Sequence, residues 1–332
     1  MTRYSRTASA SAPRDHYREI TDRIIAALDA GTPPWRKPWN PDVAGGPAMP
    51  RNAVTGKKYR GINVLTLGMS TLAFGSGDPR WATYKQASSE GWQVRRGEKS
   101  TTGFFYKRLE VHDSTKPDDD DATRHIPLLR AFSLFHATQI DGVPPYSPPT
   151  IAEAPWRTPD AAQTILTNSG AVLRIGGDRA FYSPVTDHIQ MPPDAAFGSA
   201  GAYCSTLIHE LGHWTGHGDR LDRDLKTKQG SADYAREELR AEISQVMVCA
   251  ELGIADSEFH NSASYIADWA TRLREDRKEI FRAAADAQRI ADYLLAFHPD
   301  YASQTSPASD DQAAPVDDTD APTANDTVPL AA

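Results

Sequence analysis

His209-Glu210-Leu211-Gly212-His213 is the stretch of this sequence best equipped for chemistry. On a helix, side chains four residues apart share a face, so His209 and His213 can offer both imidazoles to one metal ion. Glu210 is rotated by about 100° from His209. From there its carboxylate reaches a metal-bound water rather than the metal, which is where a general base acts. H-E-x-x-H on a helix is the pattern of a zinc metallopeptidase, and Zn²⁺, or another divalent ion, is the cofactor it implies.

Such a site takes a third protein ligand and leaves a fourth position to water. Glu237-Glu238-Leu239-Arg240-Ala241-Glu242 supplies the carboxylates, and Glu238 and Glu242 share a helix face. The division of labour read here puts Glu238 on the metal and Glu242 against a ligand histidine. Glu242 remains the alternative ligand, and Glu237, pointing elsewhere, reads as a solvated surface carboxylate. A rival reading runs on through Gly216 to Asp219, where metzincins place a last ligand that is normally histidine. His217 is a further candidate as ligand or electrophilic helper, and Tyr234 as stabiliser of an oxyanion.

A second constellation lies in the first half, where aromatic side chains alternate with cations. It comprises Trp35, Arg36, Lys37 and Trp39, then Lys57, Lys58, Tyr59 and Arg60, then Lys85, Arg95, Arg96 and Lys99, with Trp81, Tyr84 and Trp92 between. Single-stranded nucleic acid calls for this pairing, because flat rings stack on bases while cations neutralise phosphates. Trp35 and Trp39, pinned by neighbouring prolines, read equally as a packed corner or a stacking platform. Residues 51–108 carry 11 basic and 3 acidic side chains, whereas residues 151–300 carry 15 and 23. A basic module joined to an acidic one suits a polyanion-binding unit attached to something else.

The elements that must position these groups follow from periodicity. Tyr17, Ile20, Ile24, Ile25 and Leu28 form an apolar helical stripe after Asp15 that ends at Gly31. A helix over 65–74 and strand-like runs at 91–94 and 103–109 follow, and the acidic run 118–121 reads as a solvated loop before the apolar run 126–135. Residues 141–159 are proline-rich and read as a linker. Beyond them come a helix from Asp160, short strands near 171–175, 180–183 and 188–191, and helical stretches over 200–217, 231–253 and 263–297, the last broken. Strands followed by helices predict an α+β fold in two domains, the second a small sheet plus helices. The domains fall at 14–145 and 159–300, joined by 146–158 and flanked by disordered segments 1–13 and 301–332.

The 332 residues are 39% hydrophobic with a net charge of −8. No stretch approaches the roughly 20 apolar residues that span a bilayer, and the two cysteines, Cys204 and Cys249, cannot build a disulfide framework. The expectation is a cytoplasmic protein without a membrane partner.

Together the pieces resemble the ArdC-type antirestriction proteins of plasmids and phages. The matching segments run in order: Gly31–Trp39 (GTPPWRKPW), Arg60–Leu65, Trp81–Gln86 and Val94–Lys99, then Asp187–Pro192, His209–His217 with Arg220-Leu221, Tyr234–Glu242 and Tyr265–Trp269. They cover about residues 15–297. The resemblance implies an N-terminal single-stranded-DNA-binding domain, a C-terminal zincin-like metallopeptidase domain, and a role in shielding incoming DNA from restriction. Carried over by position, the metal motif falls on His209, His213 and Glu238, and the base on Glu210. It also implies that His188–Met191 runs along the substrate cleft as an edge strand. One departure is Phe135-His136, where the family often reads Phe-Asn. The alternative function is a DNA-associated zinc metallopeptidase whose main work is proteolysis, with a protein substrate or restriction enzyme as partner. A purely structural zinc is disfavoured, because it would not need Glu210.

Overall fold

Asp15 accepts the backbone N–H of Arg18 at 3.0 Å and so starts α1 (His16–Asp29), which stops before Gly31 in the left-handed region at φ 73°. The computed structural model describes residues 15–31, 33–35, 49–112, 123–147, 157–225, 231–254, 262–302 and 328–329. Arg36, Lys37, Trp39, the acidic run 118–121 and most of the expected linker and acidic tail lie outside the described residues.

The rest of the first half is a larger sheet and a separate two-stranded one, with helices against them. In chain order it comprises β1 (Arg51–Asn52), α2 (Ile62–Ala73), β2 (Arg80–Ala82), α3 (Tyr84–Ser89), β3 (Gln93–Val94), β4 (Thr101–His112), β5 (Thr123–His136) and β6 (Ile140–Asp141). β4 and β5 form a long antiparallel ribbon, β2 joins the end of β5, and β1 lies parallel to β2. A two-residue β10 (Val328–Pro329) pairs with Leu128 and Leu129 of β5. Asn63 ties α2 to this sheet: its side-chain amide donates to the Phe104 carbonyl at 2.6 Å and accepts the Phe104 N–H at 2.7 Å. A buried amide thus supplies the hydrogen bonds that a further strand would have made. At the departure from the family pattern, His136 is fully buried, stacked on Phe74, and bonded to the Asp78 carbonyl and to Thr138. It is a packing residue.

The second half opens with α4 (Arg157–Ser169), then β7 (Val172–Ile175), β8 (Phe181–Ser183) and β9 (His188–Met191). The sheet order is β7-β9-β8. β9 is therefore the central strand, and the expectation that it borders the cleft as an edge is corrected: β8 holds that place. Helices α5 (Ala200–Trp214), α6 (Ala232–Leu252), α7 (Ser262–Glu275), α8 (Glu279–Leu295) and the short α9 (Pro299–Ala302) complete an α+β architecture.

The core does not respect the midpoint of the chain. The stripe of α1 buries itself against the second half, where the Tyr17 ring meets Phe281 at 4.6 Å and Thr21 Oγ1 donates to the Arg277 carbonyl at 2.7 Å. Phe104 meets the same Phe281 at 5.7 Å. One continuous apolar cluster runs from Tyr17 and Trp35 to Leu295. Among the described residues, no helix is long and apolar enough to cross a membrane.

Candidate metal centre

Ser199 caps α5 by accepting the Ala202 N–H, and Ser231 caps α6 by accepting the Tyr234 N–H. The two helices approach closely at Gly212, where a Cβ would stand 3.2 Å from Ser244 Oγ and 3.6 Å from Ala241 Cα. A glycine inside the H-E-x-x-H helix thus lets α6 bring its carboxylates onto the histidine face.

His209, His213 and Glu238 are brought together. Their candidate ligand atoms all lie within 4.8 Å of one another. The two Nε2 atoms are 3.2 Å apart, and each stands 3.5 Å from an oxygen of Glu238. Bonds of about 2.0–2.1 Å at tetrahedral angles separate ligand atoms by about 3.3 Å; the two Nε2 atoms already stand at that spacing, and Glu238 turns a different oxygen to each of them.

The Nδ1 atoms settle which nitrogens face that point. His209 Nδ1 lies 3.2 Å from Gln245 Oε1, and His213 Nδ1 lies 3.3 Å from Glu237 Oε1. With each Nδ1 engaged, each Nε2 is left for the ion. Glu242, expected against a ligand histidine, is buried nearby on α6, and its charge acts on His209. One expectation is corrected. Glu237 is not a solvated surface carboxylate: it is buried, and Arg223 grips both its oxygens at 3.1 and 2.8 Å. Arg223 comes from the loop after α5, which a local pattern on α6 cannot reveal. Gln245 is marked in the sequence only by its place seven residues beyond Glu238 on the same face.

Charge follows the geometry. Burial would push His209 down, but the hydrogen bond and charge of Glu238 outweigh it and raise the imidazole to about 9. Burial would raise Glu238, but His213 and His209 hold it down at about 2. Glu210 is buried and shifted upward, chiefly by desolvation, with the two imidazoles and the Tyr182 backbone N–H opposing. A carboxyl whose affinity for a proton is raised beside a metal cluster is suited to take and return one.

β8 stands over this face because of a cluster at its turn. Arg220 grips Asp187 through both terminal nitrogens, donates to Tyr182 Oη at 3.2 Å and stacks on Trp214 at 4.0 Å. Asp187 takes the strained φ of 45° at that turn. The resulting cavity, about 510 Å³, is bordered by Phe181, Tyr182, Glu210, Glu238, Tyr265 and Trp269 among others. Asp219 and His217 bond to each other outside the cluster, so the Asp219 reading is not what the geometry assembles.

The cationic constellation is dispersed by the fold. Trp35 is 1% exposed and packs on Trp269, so it is not a stacking platform here. Tyr59 is half-buried against the Trp81 cluster, hydrogen-bonded to Asn52, and raised to about 12 by burial. Lys58 pairs with Glu251 and Arg60 with Asp292, both across the two halves. Arg95 is tied to Glu98, Asp141 and the Thr138 carbonyl. Lys57, Lys85, Arg96 and Lys99 are exposed, as is the ring of Tyr84. They lie around α3 and β3, since Asn52 bonds Gln86 at 3.0 Å and Gln139 bonds the Lys99 carbonyl at 2.9 Å.

Residues 14–135 match a family described as the N-terminal domain of anti-restriction factor ArdC, and residues 160–286 match the zincin-like metallopeptidases. Two Escherichia coli proteins named DNA primase TraC are 45% and 43% identical over 302 and 299 residues, or 87% and 86% of this chain. The chain spans only 28% and 20% of their lengths. The uncharacterized protein y4eC of Sinorhizobium fredii is 39% identical over 294 residues, covering 87% of this chain and 94% of its own. Among solved structures, the antirestriction ArdC protein from the R388 plasmid matches in its metal-free form with a TM-score of 0.70 at 38% identity. Its Mn(II)-bound form matches at 0.69 and 40%, each over 86% of this chain and 98% of that one.

Proposed function

The chain belongs to the ArdC family of antirestriction proteins, and on that premise we propose that it binds single-stranded DNA and shields incoming plasmid or phage DNA from restriction in the cytoplasm. The observation that supports the DNA-binding part is that Lys57, Lys85, Arg96, Lys99 and the ring of Tyr84 are all exposed. Exposed cations can meet phosphates and an exposed ring can stack on a base. The test is binding of a labelled oligonucleotide, single-stranded against duplex, by the full chain across a salt series. Salt-sensitive preference for the single strand supports the reading, and absence of binding at low salt overturns it.

The second half is proposed as a zinc centre held by His209, His213 and Glu238, in keeping with the Mn(II)-bound relative. Zinc so held supplies a water whose pKa approaches about 7 and a Lewis acid for a carbonyl. Glu210 is the group that accepts and returns a proton, and Gln245 and Glu237 keep both Nε2 atoms turned inward.

A second reading makes proteolysis the main work, with the basic half bringing the centre to protein on DNA. It is favoured by β8, which pairs only with β9 among the described residues and leaves an edge along the cavity for an extended peptide. Cleavage of a protein in the same DNA complex by the wild type, and none by Glu210→Gln, would support it.

A further inference from the structure

Behind Glu238 the side chains form a series that crosses into the first half of the protein. Tyr265 donates its hydroxyl to Tyr234 Oη at 3.4 Å, with their rings 5.9 Å apart. Tyr234 precedes Glu238 by one turn of α6 and lines the same cavity, so with the Tyr234 oxygen as acceptor there its own proton is left for the neighbouring Glu238 carboxylate. Tyr265 stacks on Trp269 at 6.1 Å and 23°. Trp269 donates Nε1–H to the Ala235 carbonyl at 3.0 Å, on the first turn of the helix that carries Glu238, and meets the Trp35 ring at 5.7 Å.

Apolar packing accounts for the two indoles but not for the two phenols. Hydroxyls turned toward a partly desolvated carboxylate are costly unless they bond to it, and phenylalanine would fill the same volume. The carboxylate presents one oxygen toward each imidazole, 3.5 Å from each Nε2. A free carboxylate turns about its last bond. A fixed donor on one oxygen stops that rotation.

We propose that Tyr234 and Tyr265 are positioning residues for the metal ligand Glu238, and that Trp35 of the first half braces them through Trp269. The inference rests on the metal-centre reading above. The centre would then be complete only when both halves of the chain are folded together, and Trp35 would act in metal binding rather than in base stacking.

The test uses the full chain as wild type and as Tyr234→Phe, Tyr265→Phe, Trp35→Phe and Trp35→Ala. Zn(II) affinity is measured by competition with a chromogenic chelator, the coordination geometry by the visible spectrum of the Co(II) form, and packing by the melting temperature without metal. Outer partners of metal ligands are typically worth about 10–100-fold in affinity. Tyr234→Phe is expected to lose about that much, and Tyr265→Phe several-fold, both with an altered Co(II) spectrum and an unchanged metal-free melting temperature. Trp35→Phe should bind nearly as wild type and Trp35→Ala more weakly. Wild-type affinity and spectrum in both tyrosine variants would overturn the proposal, including where their melting temperatures fall. Unchanged affinity in Trp35→Ala would overturn the part given to Trp35, and the tyrosine variants decide the rest if that protein does not fold. Wild-type protein that takes up neither ion would overturn the metal-centre reading itself, and this inference with it.

Discussion

Glu237 Oε1 lies 3.3 Å from His213 Nδ1 and 2.8 Å from Arg223 Nη2, so one buried carboxylate joins an imidazole of the H-E-x-x-H helix to a guanidinium from the loop beyond it. The two substitutions that break this link differ in kind. Arg223→Ala strands a buried carboxylate and is expected to cost about 3–5 kcal/mol of stability. Glu237→Gln leaves the Arg223 guanidinium without its counter-charge, so it too should lose stability, and because it also changes the partner of His213 Nδ1 it should lower metal affinity about 10–100-fold. Denaturant unfolding of the metal-free proteins and a zinc titration check this, and wild-type metal affinity in Glu237→Gln would contradict the orienting role.

That link also marks where sequence reasoning ends. The histidines and Glu238 are legible because each is fixed by spacing within one helix, and the fold class because apolar periodicity is local. Helix spacing misplaces Glu237 because its surroundings come from elsewhere: Arg223 lies 14 residues before Glu237 and arrives through a loop. Trp35 is ambiguous in sequence for the same reason, its partner Trp269 standing far along the chain. Lys58 and Arg60 read locally as phosphate ligands, yet Glu251 and Asp292 on distant helices neutralise them. Strand order is not written in strand sequence, so β9 reads as an edge and stands at the centre of its sheet.

Metal uptake should depend steeply on pH. In the metal-free protein the imidazole of His209 is raised from 6.5 to about 9. Its pairing therefore stabilises the metal-free fold in full below about pH 6.5 and is lost as pH rises through about 9. Glu238, lowered to about 2 from 4.5, contributes above pH 4.5 and loses that contribution only as pH falls through about 2. A metal ion needs the unprotonated imidazole, so binding below pH 9 must expel that proton. Affinity is expected to climb about tenfold per pH unit for each proton released, up to about pH 9. Zinc titrations from pH 6 to 9 check this, and a flat profile would contradict it.

Glu210→Gln separates metal holding from proton handling. Glu210 shares a helix with both histidines but lies outside the set whose ligand atoms converge. The variant should bind zinc within a few-fold of wild type, since no ligand is removed, while any hydrolysis by the centre is abolished. Loss of metal from the variant, measured by elemental analysis after gel filtration, would make Glu210 a ligand instead of a base.

Cations already paired across the two halves have less to offer a phosphate. Replacing the exposed Arg96 or Lys99 with alanine should each flatten the salt dependence of single-strand binding, by about 0.7 in log–log slope for every phosphate left without its cation. Lys58→Ala and Arg60→Ala should leave that slope nearly unchanged and instead lower the melting temperature, because their partners Glu251 and Asp292 belong to the other half. The reverse pattern would mean that DNA displaces the intramolecular pairs.

The continuous core makes a prediction about cooperativity. Phe281 is 3% exposed and sits between Tyr17 of α1 and Phe104 of β4, at 4.6 and 5.7 Å. Truncation to alanine removes apolar packing from both halves at once and is expected to cost about 3–5 kcal/mol. If the halves share one core, fluorescence of the tryptophans and far-ultraviolet circular dichroism should report a single transition in the wild type and in Phe281→Ala, moved together to lower temperature. Two transitions, with only the second-half one moved, would mean that α1 and β4 rest on the helices without depending on them. The metal centre would then survive melting of the first half.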